Sequence, residues 1–139
     1  MTPIEIIANV TTNHGGDLAI AKRLIETAAA CGAHWVQFQF TRVRHLHPDD
    51  PQYGWFRQCE WPLKYWEQVL GACEDHSLKF LATVFHWADV DEYVSLGARA
   101  IAIADSEAHE GPLAHKVLAE FGGPKRQIFV ACGLTPAMQ

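Results

Sequence analysis

The chain has 139 residues, a formal net charge of -5 and 49% hydrophobic residues, the size and composition of one globular domain with a sizeable core. An acidic balance does not attract phosphate backbones or anionic lipid, and no apolar run reaches the length of a membrane span, so neither nucleic acid nor membrane is an expected partner. The N-terminus has no basic, apolar leader, and Cys31, Cys59, Cys73 and Cys132 are widely spaced with no C-x-x-C, so the expected setting is the cytoplasm with reduced thiols.

Residues 4–17 run Ile-Glu-Ile-Ile-Ala-Asn-Val-Thr-Thr-Asn-His-Gly-Gly-Asp. An apolar stretch of strand length passes into small polar residues, a Gly pair, and an Asp placed to cap a helix starting at Leu18. Helical spacing of Leu18, Ala21, Leu24, Ile25, Ala28 and Ala29, with Gly32 beyond, predicts a helix over about 17–31. Residues 35–40, Trp-Val-Gln-Phe-Gln-Phe, alternate as a second strand. Residues 41–60 hold Pro48, Pro51 and Gly54 and no period, and are expected to form a long loop. Pro62 then opens a helix over about 62–76 with Trp66, Val69, Leu70 and Cys73 on one face.

A third strand is predicted at 78–85, followed by a short helix that Asp89 helps to cap, with Val90, Tyr93, Val94 and Leu96, closed by Gly97. Residues 98–104 read as a fourth strand and 105–111 as its loop. Pro112 starts a fourth helix with Leu113, Val117, Leu118 and Phe121 on its apolar side, and a fifth strand is predicted at 127–132. Strands alternating with helices imply right-handed crossovers and a parallel α/β sheet in one domain over 1–139. Periodicity leaves two architectures open: a flavodoxin-like doubly wound open sheet, and part of a TIM-type (β/α) barrel with about five strands and four helices.

Six stretches in order, 6–17 (IIANVTTNHGGD), 32–39 (GAHWVQFQ), 61–63 (WPL), 80–85 (FLATVF), 100–107 (AIAIADSE) and 128–134 (IFVACGL), resemble the N-acetylneuraminate (sialic acid) synthase family. The resemblance implies the first half of a (β/α)8 barrel. It also implies an ancestral reaction that joins phosphoenolpyruvate to an N-acylated amino sugar, with a divalent metal, manganese or zinc, held by two histidines from the barrel's other half. Cationic groups would neutralise phosphate and carboxylate there, and a first-strand carboxylate would relay a proton.

This chain departs from that pattern at three positions. Asn9 stands where the family has Glu, Gln37 where it has Lys, and Ala102 where it has a second Lys. Each charge-assisted hydrogen bond contributes roughly 1.5–3 kcal/mol, so losing both lysines weakens anion binding by orders of magnitude. Gln39, Thr83 and Glu107 match the family's second-strand Gln, its phosphate-contacting Thr and its sugar-contacting Glu, and Asn13 and His14 match the pair after the first strand.

The candidate site therefore comprises His14 and Glu107 as catalytic groups and Asn9, Asn13, Gln37, Gln39, Arg42, Thr83, Asp105 and Ser106 as substrate-binding groups. Arg42 and Arg44 are expected to replace part of the missing positive charge. His14, His86 and His109, with Glu107, lie beyond strand ends and form a candidate metal site, against the simpler reading of loop residues bonded to backbone or water. His45-x-His47 reads as a solvated segment. Gly15-Gly16 before a helix reads as a turn rather than an anion cradle.

Three functions follow. One is a synthase-type enzyme acting on a sugar or keto acid. The second is a non-catalytic half-barrel scaffold or partner subunit. The third is a metal-dependent enzyme. A sheet of five strands leaves two open edges, so a homo-oligomer or a complementary half-barrel subunit is the expected partner.

Overall fold

The computed structural model describes residues 3–131 and 133 of the chain. The Cys132 end of the expected fifth strand and the matched Leu134 lie outside the described residues. Five strands, β1 (Ile7–Thr11), β2 (Trp35–Phe40), β3 (Lys79–Val84), β4 (Ala100–Ile103) and β5 (Gln127–Val130), form one sheet in the order β1-β2-β3-β4-β5. Every neighbouring pair is parallel. A flavodoxin-like sheet would place the second strand outside the first, so the doubly wound alternative is excluded by strand order.

Five helices are described where four were expected: α1 (Leu18–Ala30), α2 (Tyr53–Cys59), α3 (Leu63–Asp75), α4 (Val90–Ser95) and α5 (Gly111–Phe121). The additional one, α2, lies in the segment read as a loop. Cys59 is its only buried residue, so it carries no apolar stripe for periodicity to detect. It is held instead by contacts to the loop after β1: Trp55 Nε1 donates to Thr12 Oγ1 at 3.1 Å and Gln58 Nε2 to the Gly15 carbonyl at 2.6 Å. Gly16 has a φ of +85°, and a Cβ there would overlap the Gln58 carbonyl oxygen. Gly16 therefore serves the close approach of α2.

Asp17 caps α1 as its sequence position implies, accepting from the amides of Ala19 (2.7 Å) and Ile20 (3.1 Å). The main core lies between the helices and one sheet face. Val10, Val36, Phe38, Phe40, Ala82, Val84, Ile101 and Ile103 from the strands meet Ile25, Trp66, Val69, Leu113, Val117 and Phe121 from the helices. The opposite face carries its own small cluster, Trp35, Leu81, Ala100 and Ala102 with Phe129 packed on it.

The sheet is strongly curved toward that second face. Trp35 on β2 and Phe129 on β5 meet edge to face with ring centroids 5.2 Å apart, although strands three places apart in a flat sheet lie about 14 Å apart. This is the concave inner wall of a partial, unclosed barrel.

One buried hydroxyl completes the sheet's weakest seam. β3 and β4 share a single register pair, Thr83 with Ala102. Beside it Tyr93 of α4 accepts from the Ala82 amide at 3.1 Å and donates to the Ala100 carbonyl at 2.6 Å, so its oxygen replaces a missing ladder bond. Burial pushes this phenol well above its ordinary pKa, so it remains a donor. Tyr93→Phe leaves two buried backbone groups unpaired and is expected to lower unfolding free energy by about 1–3 kcal/mol. Urea denaturation measures it, and an unchanged midpoint would remove Tyr93 from the seam.

Candidate functional site

Alternation along the strands decides which side chains reach the concave face. Asn9 lies opposite Gln37 in the β1–β2 register, and Gln39 opposite Thr83 in the β2–β3 register. The odd-numbered polar residues of β2 and β3 therefore share the inner wall with Asn9. Gln37 Nε2 donates to Thr83 Oγ1 at 3.0 Å. A cleft of about 320 Å³ opens where the strands end, lined by Gln37, Gln39, Thr83, Phe85, Ala102 and Asp105 among others. That is the end of a βα barrel where ligands bind.

Among the described residues no Lys or Arg lines this cleft. Its one charged lining group, Asp105, accepts from the Gly133 amide at 2.5 Å. Asn9 shares the inner face but is exposed at the β1 edge and does not line the cleft. β1 ends in an irregular register between Asn9 and Thr11, and Thr11 holds a φ of 53°, rare for a β-branched residue. This kink turns the following loop toward α2.

The remaining candidates lie elsewhere. Arg42, Ser106 and Glu107 line a second cleft of about 400 Å³ between the loops after β2, β3 and β4, where His45, His86, Asp89, Phe56 and Phe85 also contribute. Phe85 is shared by the two clefts. Arg42 does not replace a missing lysine. Its Nε donates to Glu92 at 2.9 Å, its NH1 to the Thr41 and Trp61 carbonyls at 3.0 and 2.9 Å, and its guanidinium lies 4.2 Å over the Phe40 ring. It holds the Glu92 carboxyl below the usual carboxylate range. Arg44 is likewise engaged by Asp89 and Glu92.

His14 lies on the helix side of the sheet, buried, with its ring 3.9 Å from that of Trp61 and 6.0 Å from that of Phe38. Nδ1 accepts from the Gly16 amide at 3.0 Å, and Nε2 has no partner among the described residues. It is buried against these rings and lines neither cleft. Asn13 is exposed in the same loop. His86 stacks on His45, and His109 is exposed and lines neither cleft.

The proposed metal set of His14, His86 and His109 is therefore not brought together. Among the described residues no group of three or more His, Cys, Asp or Glu converges to hold an ion. The divalent metal implied by the resemblance would be held by two histidines of the barrel's other half, which the five described strands do not include. Cys59 and Cys73 are buried and Cys31 exposed. Burial pushes the Cys73 thiol up to about 12, which leaves it inert as a nucleophile. Thr12 Oγ1 accepts from Trp55 Nε1, and among the described residues no base contacts the hydroxyl of Thr11, Thr12 or Ser106. Cys132 lies outside the described residues.

Two site features escaped the sequence. His45 was assigned to a solvated stretch and Asp89 to a helix cap. Asp89 makes no side-chain cap bond to α4. Its buried carboxylate turns to Arg44 and to His45 Nε2, 3.0 Å away. Arg42 pairs with Glu92 and Arg44 with Asp89 across 50 and 45 residues, a separation that leaves no local signal in the sequence.

Burial pulls the His14 pKa from 6.5 down to about 4. The unfolded chain then binds a proton between these values that the folded chain refuses, so stability falls as pH drops from about 6.5 to 4. A shift of this size corresponds to at most about 3 kcal/mol. Denaturation at pH 7 and pH 4.5 is expected to reveal the loss, and His14→Phe is expected to reduce the difference. An equal pH dependence in the variant would place the titrating group elsewhere.

Comparison with known proteins agrees with this geometry. The chain is 29% identical over 127 residues to N,N'-diacetyllegionaminic acid synthase of Campylobacter jejuni, covering 81% of this chain and 38% of that protein. It is 29% identical over 123 residues to the spore coat polysaccharide biosynthesis protein SpsE of Bacillus subtilis, covering 80% and 33%. The N-acetylneuraminic acid (sialic acid) synthetase of Leptospira borgpetersenii, crystallised with citrate, superposes with a TM-score of 0.87 at 23% identity, covering 98% of this chain and 47% of that one. The chain thus spans less than half the length of these relatives. No helix among the described residues is long and apolar enough to cross a membrane. The NeuB family pattern matches residues 24–138, and the chain belongs to that family.

Proposed function

We propose that the first cleft binds the neutral partner of a sialic-acid-synthase-type condensation, an N-acylated amino sugar, and that this chain alone holds phosphoenolpyruvate poorly. The observation that carries this reading is the composition of the cleft. Gln37, Gln39 and Thr83 offer amide and hydroxyl groups suited to sugar hydroxyls, and no cation among the described residues lines it to meet a phosphate. Glu107, half-buried in the next loop, lines the adjacent second cleft and would contact the sugar from there.

The concave face supports a second element of the proposal. Ile7 is partly exposed at the β1 edge, and Trp35, Leu81 and Phe129 line an inner wall that is open on one side. Further βα units, from a second copy or a complementary half-barrel, would cover it and complete the site. A binding protein without condensation activity is the alternative favoured by the commitment of Arg42 and Arg44 to Glu92 and Asp89.

Calorimetric titration with an N-acetylated hexosamine and with phosphoenolpyruvate tests the reading. Sugar binding is expected to weaken at least tenfold in Thr83→Ala and Gln39→Ala. Phosphoenolpyruvate affinity is expected to rise at least tenfold when Gln37→Lys and Ala102→Lys are combined, since each adds a charge-assisted contact. Tight phosphoenolpyruvate binding by the unaltered chain, or sugar binding indifferent to both alanine variants, would overturn it.

A further inference from the structure

The second cleft contains an arrangement that the family reading does not use. His45, from the loop after β2, and His86, from the loop after β3, stack with ring centroids 3.7 Å apart and planes within 14°. Both residues line the cleft, and each ring has one nitrogen engaged by a neighbouring group.

Asp89 is buried and ion-paired to Arg44, so its carboxylate accepts. With its proton on Nε2, 3.0 Å from Asp89 Oδ1, neutral His45 donates to that carboxylate and keeps Nδ1 as an acceptor. Arg44 Nε also lies 3.3 Å from His45 Nε2, but it reaches the same Asp89 oxygen at 3.0 Å and is satisfied there. His86 Nδ1 accepts from the Ala88 amide at 3.1 Å, so the proton of its neutral ring sits on Nε2, a free donor. The stacked pair therefore offers one acceptor and one donor, in rings one van der Waals thickness apart.

Beside this pair Phe56, Phe85 and Leu46 supply an apolar wall, and Thr41, Gln52 and Ser106 supply uncharged polar groups. The Glu107 carboxylate on the same cleft disfavours an anion. We propose that the second cleft is a binding site for a neutral planar lactam or primary amide. The ligand's N–H donates to His45 Nδ1, its carbonyl accepts from His86 Nε2, and its flat body lies among the phenylalanines. A volume of about 400 Å³ is within the range of small-molecule sites. This site stands on its own geometry: a chain that binds no sugar in the first cleft still presents it.

The test uses the full chain, 2-pyridone as the lactam, and N-methyl-2-pyridone, which keeps the carbonyl and the ring but has no N–H. Imidazole nitrogen resonances are followed by NMR during titration. Without ligand, His45 and His86 are both expected to show the Nε2–H tautomer. 2-Pyridone is expected to shift both sets of signals and to bind at least tenfold more tightly than its N-methyl derivative, because a site built to receive an N–H rejects the analogue lacking it. His86→Phe keeps a flat ring in the stack and is expected to cut 2-pyridone affinity at least tenfold.

Equal affinity for the two pyridones, no shift at either histidine, or a proton on Nδ1 of His45 would each overturn the proposal. The pyridone comparison is made on the unaltered protein, so it decides the matter even if the variant fails to fold. Loss of hexosamine binding with retention of pyridone binding would count against the first cleft's reading alone.

Discussion

Sequential strand order constrains everything else in this molecule. With β1 to β5 laid side by side in chain order, each right-handed crossover puts its helix on the same face of the sheet. One face is then buried by helices and the other can be buried only by curvature. Alternation along each strand separates the two roles: Val36, Phe38 and Phe40 serve the helices, while Trp35, Gln37 and Gln39 serve the concave side. The polar groups available to a ligand are thus the inward members of strands whose outward members form the core.

Loops at the strand ends are held by charge more than by apolar packing. Arg42 and Arg44 in the loop after β2 bind Asp89 and Glu92 beyond β3, and His45 and His86 stack across the same gap. Arg42 is buried and hydrogen-bonded to two carbonyls as well as to Glu92. Such a group is costly to leave unpaired, so truncating either partner destabilises far more than an exposed ion pair would. The network makes the wall of the second cleft rigid, and it also removes both arginines from any part in neutralising an anionic ligand.

Much of the fold was legible because local signals and tertiary structure agree. Asp17 caps the helix it precedes, and the apolar faces containing Ile25, Val69 and Val117 are the buried ones. Barrel curvature was not legible from periodicity, since an open sheet has the same alternation; the family resemblance carried that expectation and the Trp35–Phe129 contact bears it out. Helix α2 was missed because its stabilising partners, Thr12 and Gly15, are remote in sequence. Gln37, Gln39 and Thr83 are grouped in the sequence by the family resemblance, and the strand register sets them on one wall. His14 was misplaced because a residue just past a strand can turn to either side of the sheet, and Trp61 draws it into the core.

The hydroxyl of Tyr93 has a consequence for how the chain assembles. It belongs to α4, yet it supplies the bond that joins β3 to β4. Docking of that helix and pairing of the fourth strand with the third are therefore coupled through one side chain. The second and third strands, with six paired positions between them, have no such dependence and are free to form the earlier nucleus onto which α4 and β4 close.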